Sequence, residues 1–535
     1  MRDDLSAHSI SWHTDAIIYQ LHVRTFADSN GDGIGDFPGL ISKLDYLADL
    51  GITCLWLMPF CESPLRDDGY DVAHYERIHA PYGTMDDFQA FLDAAHANEM
   101  RVITELVINH TSDQHPWFEA ARHAPAGSAK RDFYVWSDTP DRYAGARVIF
   151  CDVEASNWTW DPEAGAYYWH RFFAHQPDLN FDNPHVRQAV LKVMRFWLDK
   201  GVDGLRLDAV AHLFEREGTH CENLPETHAF LKEVRASMDE RYTGRILLAE
   251  VNDTPAQMRT YFGAGDECHM AFHFPLMPRL FMAFASERAE PIVRIVEQTL
   301  DLPAGCRWAV FLRNHDELTL SALEPSERAG LHDVYAQEQA MRLNHGIRRR
   351  LANLLGHHHE RLVLAHALLL SLPGTPVLYY GDEIGMSDNV ALPDRDGLRT
   401  PMQWDDGTAT GASVEAQAGV PTSLLEHVRR LIAVRQRHDS LRHGAIEFLA
   451  TGDPSVLGFV RHAGDERVLV VANLSASPTE TTLELGDANR LTMVVDLLDG
   501  APAVVPTPGM PFTLTLAPYS ARWLSLVPSL ETTHS

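Results

Sequence analysis

The chain has 535 residues, 45% of them hydrophobic, with 74 acidic against 45 basic side chains and a formal charge of −29. That length holds a large core and predicts two or three domains rather than one. A surface this acidic repels phosphate backbones and anionic lipid, so neither nucleic acid nor a membrane surface is expected as a partner.

The elements run in a regular order. "AIIYQLHV" from Ala16 reads as a strand, "GLISKLDYLADLG" as a helix closing on Gly51, and "TCLWLMP" as a second strand. "MDDFQAFLDAAHANEM" is a helix with acidic residues in its first turn, and "RVITELVIN" is the third strand. "RQAVLKVMRFWLDKG" leads as a helix into "GVDGLRLDAVAH", the fourth strand, and "HAFLKEVRASMDERY" leads into "RILLAEV", the fifth. "HMAFHF", "RWAVFLRN" and "TPVLYYG" complete a set of eight.

Eight strands alternating with helices predict an α/β fold, a parallel (β/α)8 TIM barrel. An open doubly wound sheet is the alternative, disfavoured because no G-x-G-x-x-G follows the first strand. The segment from Thr111 to Asn183, rich in Trp, Tyr, His and Asp, is too long for a barrel loop and reads as an inserted small domain. After "SLLEHVRRLIAVRQRH" the texture changes to short alternating runs, which predict a C-terminal antiparallel β-sandwich packed on the barrel. The expected division is residues 1–110 and 184–438 for the barrel, 111–183 for the insert and 439–535 for the sandwich.

Six cysteines, Cys54, Cys61, Cys151, Cys221, Cys268 and Cys306, form no C-x-x-C pair, so neither a zinc ribbon nor a redox motif is signalled. A reduced, cytoplasmic chain is the expectation. The start "MRDDLSAHSISWH" has no basic-then-apolar leader, and "LVLAHALLLSL" is about half a membrane span. The histidine-rich "GHHHE" at Gly356 reads as a solvated helix start rather than a zinc site.

The fourth strand carries Arg206 and Asp208 on one face, between Leu205 and Leu207 on the other. Burying such charge is costly unless it is paired or used. In a parallel barrel, catalytic groups gather at the carboxyl ends of strands. Asp208 ends the fourth strand, Glu250 the fifth, and "RNHDE" puts His315 and Asp316 after the seventh. Three acids converging on one rim suit glycosidic bond cleavage, in which one carboxylate attacks the anomeric carbon and a protonated one donates to the leaving oxygen. Arg206 would keep Asp208 ionised, and the apolar run before Glu250 would keep that group protonated. Asp316 would bind sugar hydroxyls and steady the oxocarbenium-like charge.

"ELVINHTS", "GLRLDAVAH", "LLAEV" and "RNHDE" together resemble the four characteristic regions of glycoside hydrolase family 13, the α-amylase family. The resemblance implies a retaining double displacement with Asp208 as nucleophile, Glu250 as acid/base and Asp316 as stabiliser. Tyr70 and Asp71 of "GYDV", with His110, Gln176, Arg206, His315 and Arg399, would surround the sugar. Glu105 stands where the family usually has Asp, a departure that touches local packing. Longer matches, among them "DAVAHLFEREGTHCENLPETHAFL" and "RTPMQW", are similar to the branch of that family that interconverts maltose and trehalose. That branch implies a closed cavity in which glucose turns before re-attack, with the aromatic insert and "RRRLANLL" as cover. The stretch after Trp404, "DDGTATGASVEAQAG", is shorter than the branch usually has and keeps open an α-glucosidase-type hydrolase or transglucosylase acting on maltose, sucrose or short α-glucans. A non-catalytic family member is disfavoured by the three retained acids. Small saccharides are the expected partners, and a homo-oligomer is left open.

Two cation sites are expected. "DSNGDGIGDF" offers Asp28, Asn30, Asp32 and Asp36, with Ile34 between them, around a glycine-bearing turn that suits structural Ca²⁺ or Mg²⁺. It is not an EF-hand, since Gly39 stands at the twelfth position, and the alternative is an Asp/Asn/Gly turn without metal. The resemblance implies a second Ca²⁺ between barrel and insert, held by Asn109, Asp178, Glu215 and the main chain of His212 and Leu213. Its alternative is that Asn109 and Asp178 hydrogen-bond loop backbone.

Overall fold

The structure is a computed structural model that describes residues 12–405, 411–485, 491–499, 502–503 and 512–528. Eight parallel strands close into a barrel: β1 (Ile18–Leu21), β2 (Cys54–Leu57), β3 (Arg101–Val107), β4 (Gly204–Asp208), β5 (Ile246–Ala249), β6 (Met270–Phe272), β7 (Arg307–Phe311) and β8 (Thr375–Tyr379). Each strand lies beside its neighbour in sequence, and β8 returns to β1. The strands read as unbroken apolar runs because helices cover their outer side while the lumen fills with side chains. Gly204 opens β4 because a Cβ there would lie 2.6 Å from Ile246 and 3.1 Å from Ile103 on the flanking strands.

The helices follow local rules. Thr84 and Asp87 form a capping box on Met85–Ala97. Asn183 caps Pro184–Lys200, which Gly201 ends at φ 106°, a conformation glycine adopts at no steric cost. The helix His359–Ser371 starts within the histidine run.

Within the insert, a three-stranded antiparallel sheet pairs Trp136–Ser137, Ala166–Trp169 and Trp158–Asp161. Tyr143, Trp158 and Trp169 form its aromatic core with Val135 and Cys221, the last from the loop beyond β4, so the insert packs onto that barrel loop. C-terminally, a six-stranded antiparallel sheet faces a two-stranded one. Period-2 alternation sorts its side chains: Val456 and Val460 join the core between the two sheets, while Leu457 and Phe459 join the barrel's core. This is the expected barrel with an antiparallel C-terminal unit.

"RRRLANLL" does not cover the cavity. Arg348 holds the carbonyls of Val390, Leu392 and Asp394, Arg349 pairs with Asp388, and Arg350 is buried against Tyr379 and Tyr380. The triple arginine is a bracket for the 388–399 loop, whose backbone carbonyls would otherwise lack donors. Part of the stretch after Trp404, residues 406–410, lies outside the described residues. Among the described residues no helix is long and apolar enough to cross a membrane. All six cysteines are free thiols.

Candidate active site

A cavity opens at the carboxyl ends of the strands, lined by Asp208, Glu250 and Asp316 together with Tyr70, His110 and Arg399. Arg206 is buried beneath it at 1% exposure and holds two of the acids at once. Its Nη1 donates to Asp208 Oδ1 at 2.7 Å and its Nη2 lies 2.6 Å from Glu250 Oε1. From the sequence this guanidinium neighbours Asp208 alone; in the fold Glu250 shares it, because β4 and β5 are adjacent in register. Ala209 follows Asp208 at φ 51°, a left-handed conformation uncommon for a residue with a Cβ. That turn aims its N–H at Glu250 Oε2, 3.1 Å away. Backbone strain thus joins the two acids, as strain at functional sites often does.

Burial raises the carboxyls of Asp208 and Glu250 to about 7 each, against the pull of Arg206. Two carboxylates this close do not both ionise readily, so near neutrality the pair keeps one proton. Burial alone would also raise Asp316, but the guanidinium groups of Arg395 and Arg399 outweigh it and hold Asp316 below the usual carboxylate range. Arg395 Nε lies 2.5 Å from Asp316 Oδ1 and Arg399 Nη2 lies 3.4 Å from the same oxygen. The three acids therefore divide into an ionised Asp316 and a proton-sharing pair.

Other named residues stand behind the lining. Asp71 is fully buried and does not line the cavity. Its oxygens accept from Ser63 Oγ at 2.8 Å and from the Arg66 and Asp67 amides, so it braces the loop. Asp67 takes the place expected of it: Asp67 lines the cavity, with its carboxyl raised to about 7 by burial. Gln176 does not face the cavity either; its Nε2 donates to Asp67 Oδ2 at 2.8 Å. His315 backs Tyr70, its ring stacked on the phenol at 5.5 Å and its Nε2 2.8 Å from the hydroxyl. Burial keeps His315 and His110 neutral, the latter at about 3.

Arg395 and Phe150 join the site without any signal in the sequence. Arg395 sits in "DRDGLRT", ahead of the arginine that was singled out, and grips both Asp316 and Glu317. Phe150 comes from the insert and lies under the Arg395 guanidinium at 4.8 Å. Two residues on, Asp152 Oδ2 accepts from the Asn344 amide at 2.7 Å, so the insert crosses the cavity mouth to the hairpin after β7. Only the tertiary fold brings these segments together. The phosphate-repelling acids and neutral histidines suit an uncharged polar ligand.

The expected cation residues differ in character. Asn109 Oδ1, Asp178 Oδ2 and Glu215 Oε1 are buried oxygens without a hydrogen-bond donor. Burial raises Asp178 to about 8 and pushes Glu215 well up, with the Asp178 carboxylate adding to the cost of ionising Glu215. Orphaned buried oxygens of this kind have room for a donor, a water or a cation. His212 and Leu213 lie in the turn that leads to Glu215, and His212 also lines the cavity. In the other loop, Asp28, Asn30 and Asp32 accept from the amides of Gly31, Asp32, Gly33 and Ile34. Asp36 caps the helix Phe37–Ile41 through Gly39 N. Asp28, Asn30 and Asp32 are exposed, unlike the buried oxygens of the first site.

Residues 20–444 match the family model described as alpha amylase, catalytic domain, and residues 446–523 match that of the maltogenic amylase C-terminal domain. A trehalose synthase/amylase TreS of Mycolicibacterium smegmatis is 50% identical over 96% of this chain and 93% of its own. A trehalose synthase of Pimelobacter sp. is 50% identical over 96% of each. Among solved structures, isomaltulose synthase from Klebsiella sp. LX3 superposes with a TM-score of 0.78 at 28% identity, covering 97% of this chain and all of the other.

Proposed function

The chain belongs to the α-amylase family of glycoside hydrolases, and on that premise we propose that it is a retaining α-glucosyl-transferring isomerase interconverting maltose and trehalose. The observation that carries the chemistry is the single guanidinium gripping both Asp208 and Glu250 at the cavity floor. Covalent attack needs the two carboxyls at close spacing, about 5 Å, with no water between them. Shared hydrogen bonding to one arginine supports that spacing.

Asp208 attacks the anomeric carbon while Glu250 gives its proton to the glycosidic oxygen, and the bond to the second glucose breaks. Arg206 and the Ala209 amide then hold the new Glu250 carboxylate. The freed glucose turns, and Glu250 takes the proton of its anomeric hydroxyl as that oxygen attacks the glucosyl carbon and releases Asp208. Ionised Asp316 offsets positive charge building on the ring in both steps. Isomerisation requires that water stay out while glucose turns. The Phe150–Arg395 and Asp152–Asn344 contacts across the mouth support that role.

Incubation with maltose is expected to give trehalose, with free glucose minor and no incorporation of added ¹³C-glucose. Accumulation of glucose alone would make the enzyme a hydrolase of α-glucosidase type. Incorporation of the label would make it an intermolecular transglucosylase.

We also propose structural Ca²⁺ held by Asn109, Asp178 and Glu215, with the His212 and Leu213 carbonyls. When bound, the ion offsets the charge of the two buried carboxylates and ties the insert to the barrel. Binding to the folded chain alone stabilises it by about 2.7 kcal/mol at 100-fold excess over Kd. Chelation should therefore lower Tm by several degrees in the wild type and leave Asp178→Asn unmoved. Equal Tm with and without chelator in the wild type removes the site. A cation in the Asp28–Asp36 loop rests on its residue types alone.

A further inference from the structure

Glu105 on β3 is registered directly beside Arg206 on β4. Its Oε2 accepts from Arg206 Nη1 at 2.7 Å, the same nitrogen that donates to Asp208 at 2.7 Å. Its Oε1 accepts from the Trp56 indole at 2.8 Å and the Tyr70 hydroxyl at 3.2 Å. Burial pushes Glu105 up, to about 7, and an indole N–H and a guanidinium, which can only donate, pull it back toward the ionised carboxylate from both oxygens. Glu105 lies below the cavity floor and does not line it, its side chain 3% exposed.

We propose that Glu105 is a positioning residue that neutralises Arg206 from beneath, so that the Asp208–Glu250 pair keeps the one proton the reaction needs. The proposal rests on the roles assigned above to those two acids. One buried guanidinium serves three carboxyls. Were Glu105 uncharged, Arg206 would favour ionisation of both Asp208 and Glu250, and no general acid would remain at neutral pH. With Glu105 ionised, the charges beneath the floor balance and the pair is left to hold one charge and one proton. Asp67 and Asp316 also face the pair and add negative charge, while the Tyr70 hydroxyl is shared between Glu105 and the neutral His315. The extra methylene of Glu relative to Asp lets one carboxylate span Arg206 and Trp56 together.

The pH profile of kcat/KM for maltose consumption tests this, because its first chemical step needs both an ionised nucleophile and a protonated acid. Glu105→Gln should move both limbs down by about one pH unit and reduce activity at neutral pH by about tenfold or more. KM should stay within about threefold, since the residue does not touch substrate. Glu105→Asp keeps the charge and should leave the limbs in place with a lower kcat. Should Glu105→Gln not fold, Trp56→Phe removes one donor from the carboxylate and should shift the limbs the same way by less. Limbs that do not move in Glu105→Gln, or in Trp56→Phe where that variant stands in for it, overturn the proposal. Limbs that move equally in Glu105→Asp do so as well. Asp208→Asn serves as control: if it stays active, the assignment beneath fails, and if it is dead while the limbs stay fixed, this inference alone fails.

Discussion

Asp208→Asn is expected to cut kcat/KM on maltose and on 4-nitrophenyl α-glucoside by on the order of 10⁴-fold, the cost of losing a nucleophile that acts as a unit with its partners. The substitution keeps shape and the ability to accept from Arg206 Nη1, so the floor of the site should not collapse. It also removes one of three carboxyls crowded on one buried guanidinium. Burial already pushes each of these carboxyls up to about 7, so ionising them all is costly. Thermal stability should therefore hold or rise while activity vanishes, which separates chemistry from folding in a single variant. Residual activity above about 1% of wild type would be too much for a lost nucleophile and would remove Asp208 from that role.

Glu250→Gln should behave differently on different leaving groups. On maltose the leaving sugar oxygen needs a proton, and losing the general acid should cost about 10²–10⁴-fold in kcat. Nitrophenolate leaves without protonation, so the first step on the aryl glucoside should survive as a burst, followed by slow turnover of the glucosyl-enzyme. Azide needs no general base. It should accelerate that second step and yield α-glucosyl azide, the anomer that two successive inversions require. Equal losses on both substrates with no azide effect would show that Glu250 does not exchange protons with the substrate. A Gln side chain can accept through its one oxygen from either the Ala209 amide or Arg206 Nη2 but not both, so the surviving burst on the aryl glucoside is also the check that the floor of the site has kept its shape.

Much of the architecture was legible because it rests on local periodicity. Each barrel strand is a short apolar run between a helix end and a polar loop, and all eight were read in place. The acids Asp208, Glu250 and Asp316 were legible because a carboxylate closing an apolar strand has few structural explanations, and all three line one cavity. Asp67 and Asp71 show where that reading stops. Both flank Gly69 and Tyr70 in one loop, and residue type does not tell them apart. Asp71 turns inward to bind Ser63 and two amides, while Asp67 faces the cavity with Gln176 behind it. The triple arginine misled for a related reason: its charge pointed outward in sequence, yet its function is to satisfy carbonyls of a loop some forty residues on.

The amino-acid order by itself determined the barrel, its antiparallel C-terminal unit and which strand tips bear carboxylates, since each follows from apolar spacing within a short window. Tertiary structure alone decided that Arg206 serves Glu105, Asp208 and Glu250 together, and that Phe150 of the insert rests on Arg395 far along the chain. The reason is physical: charge sharing and proton placement depend on distances between segments distant in sequence and on how much water is excluded there. Neither quantity exists until the chain has closed on itself.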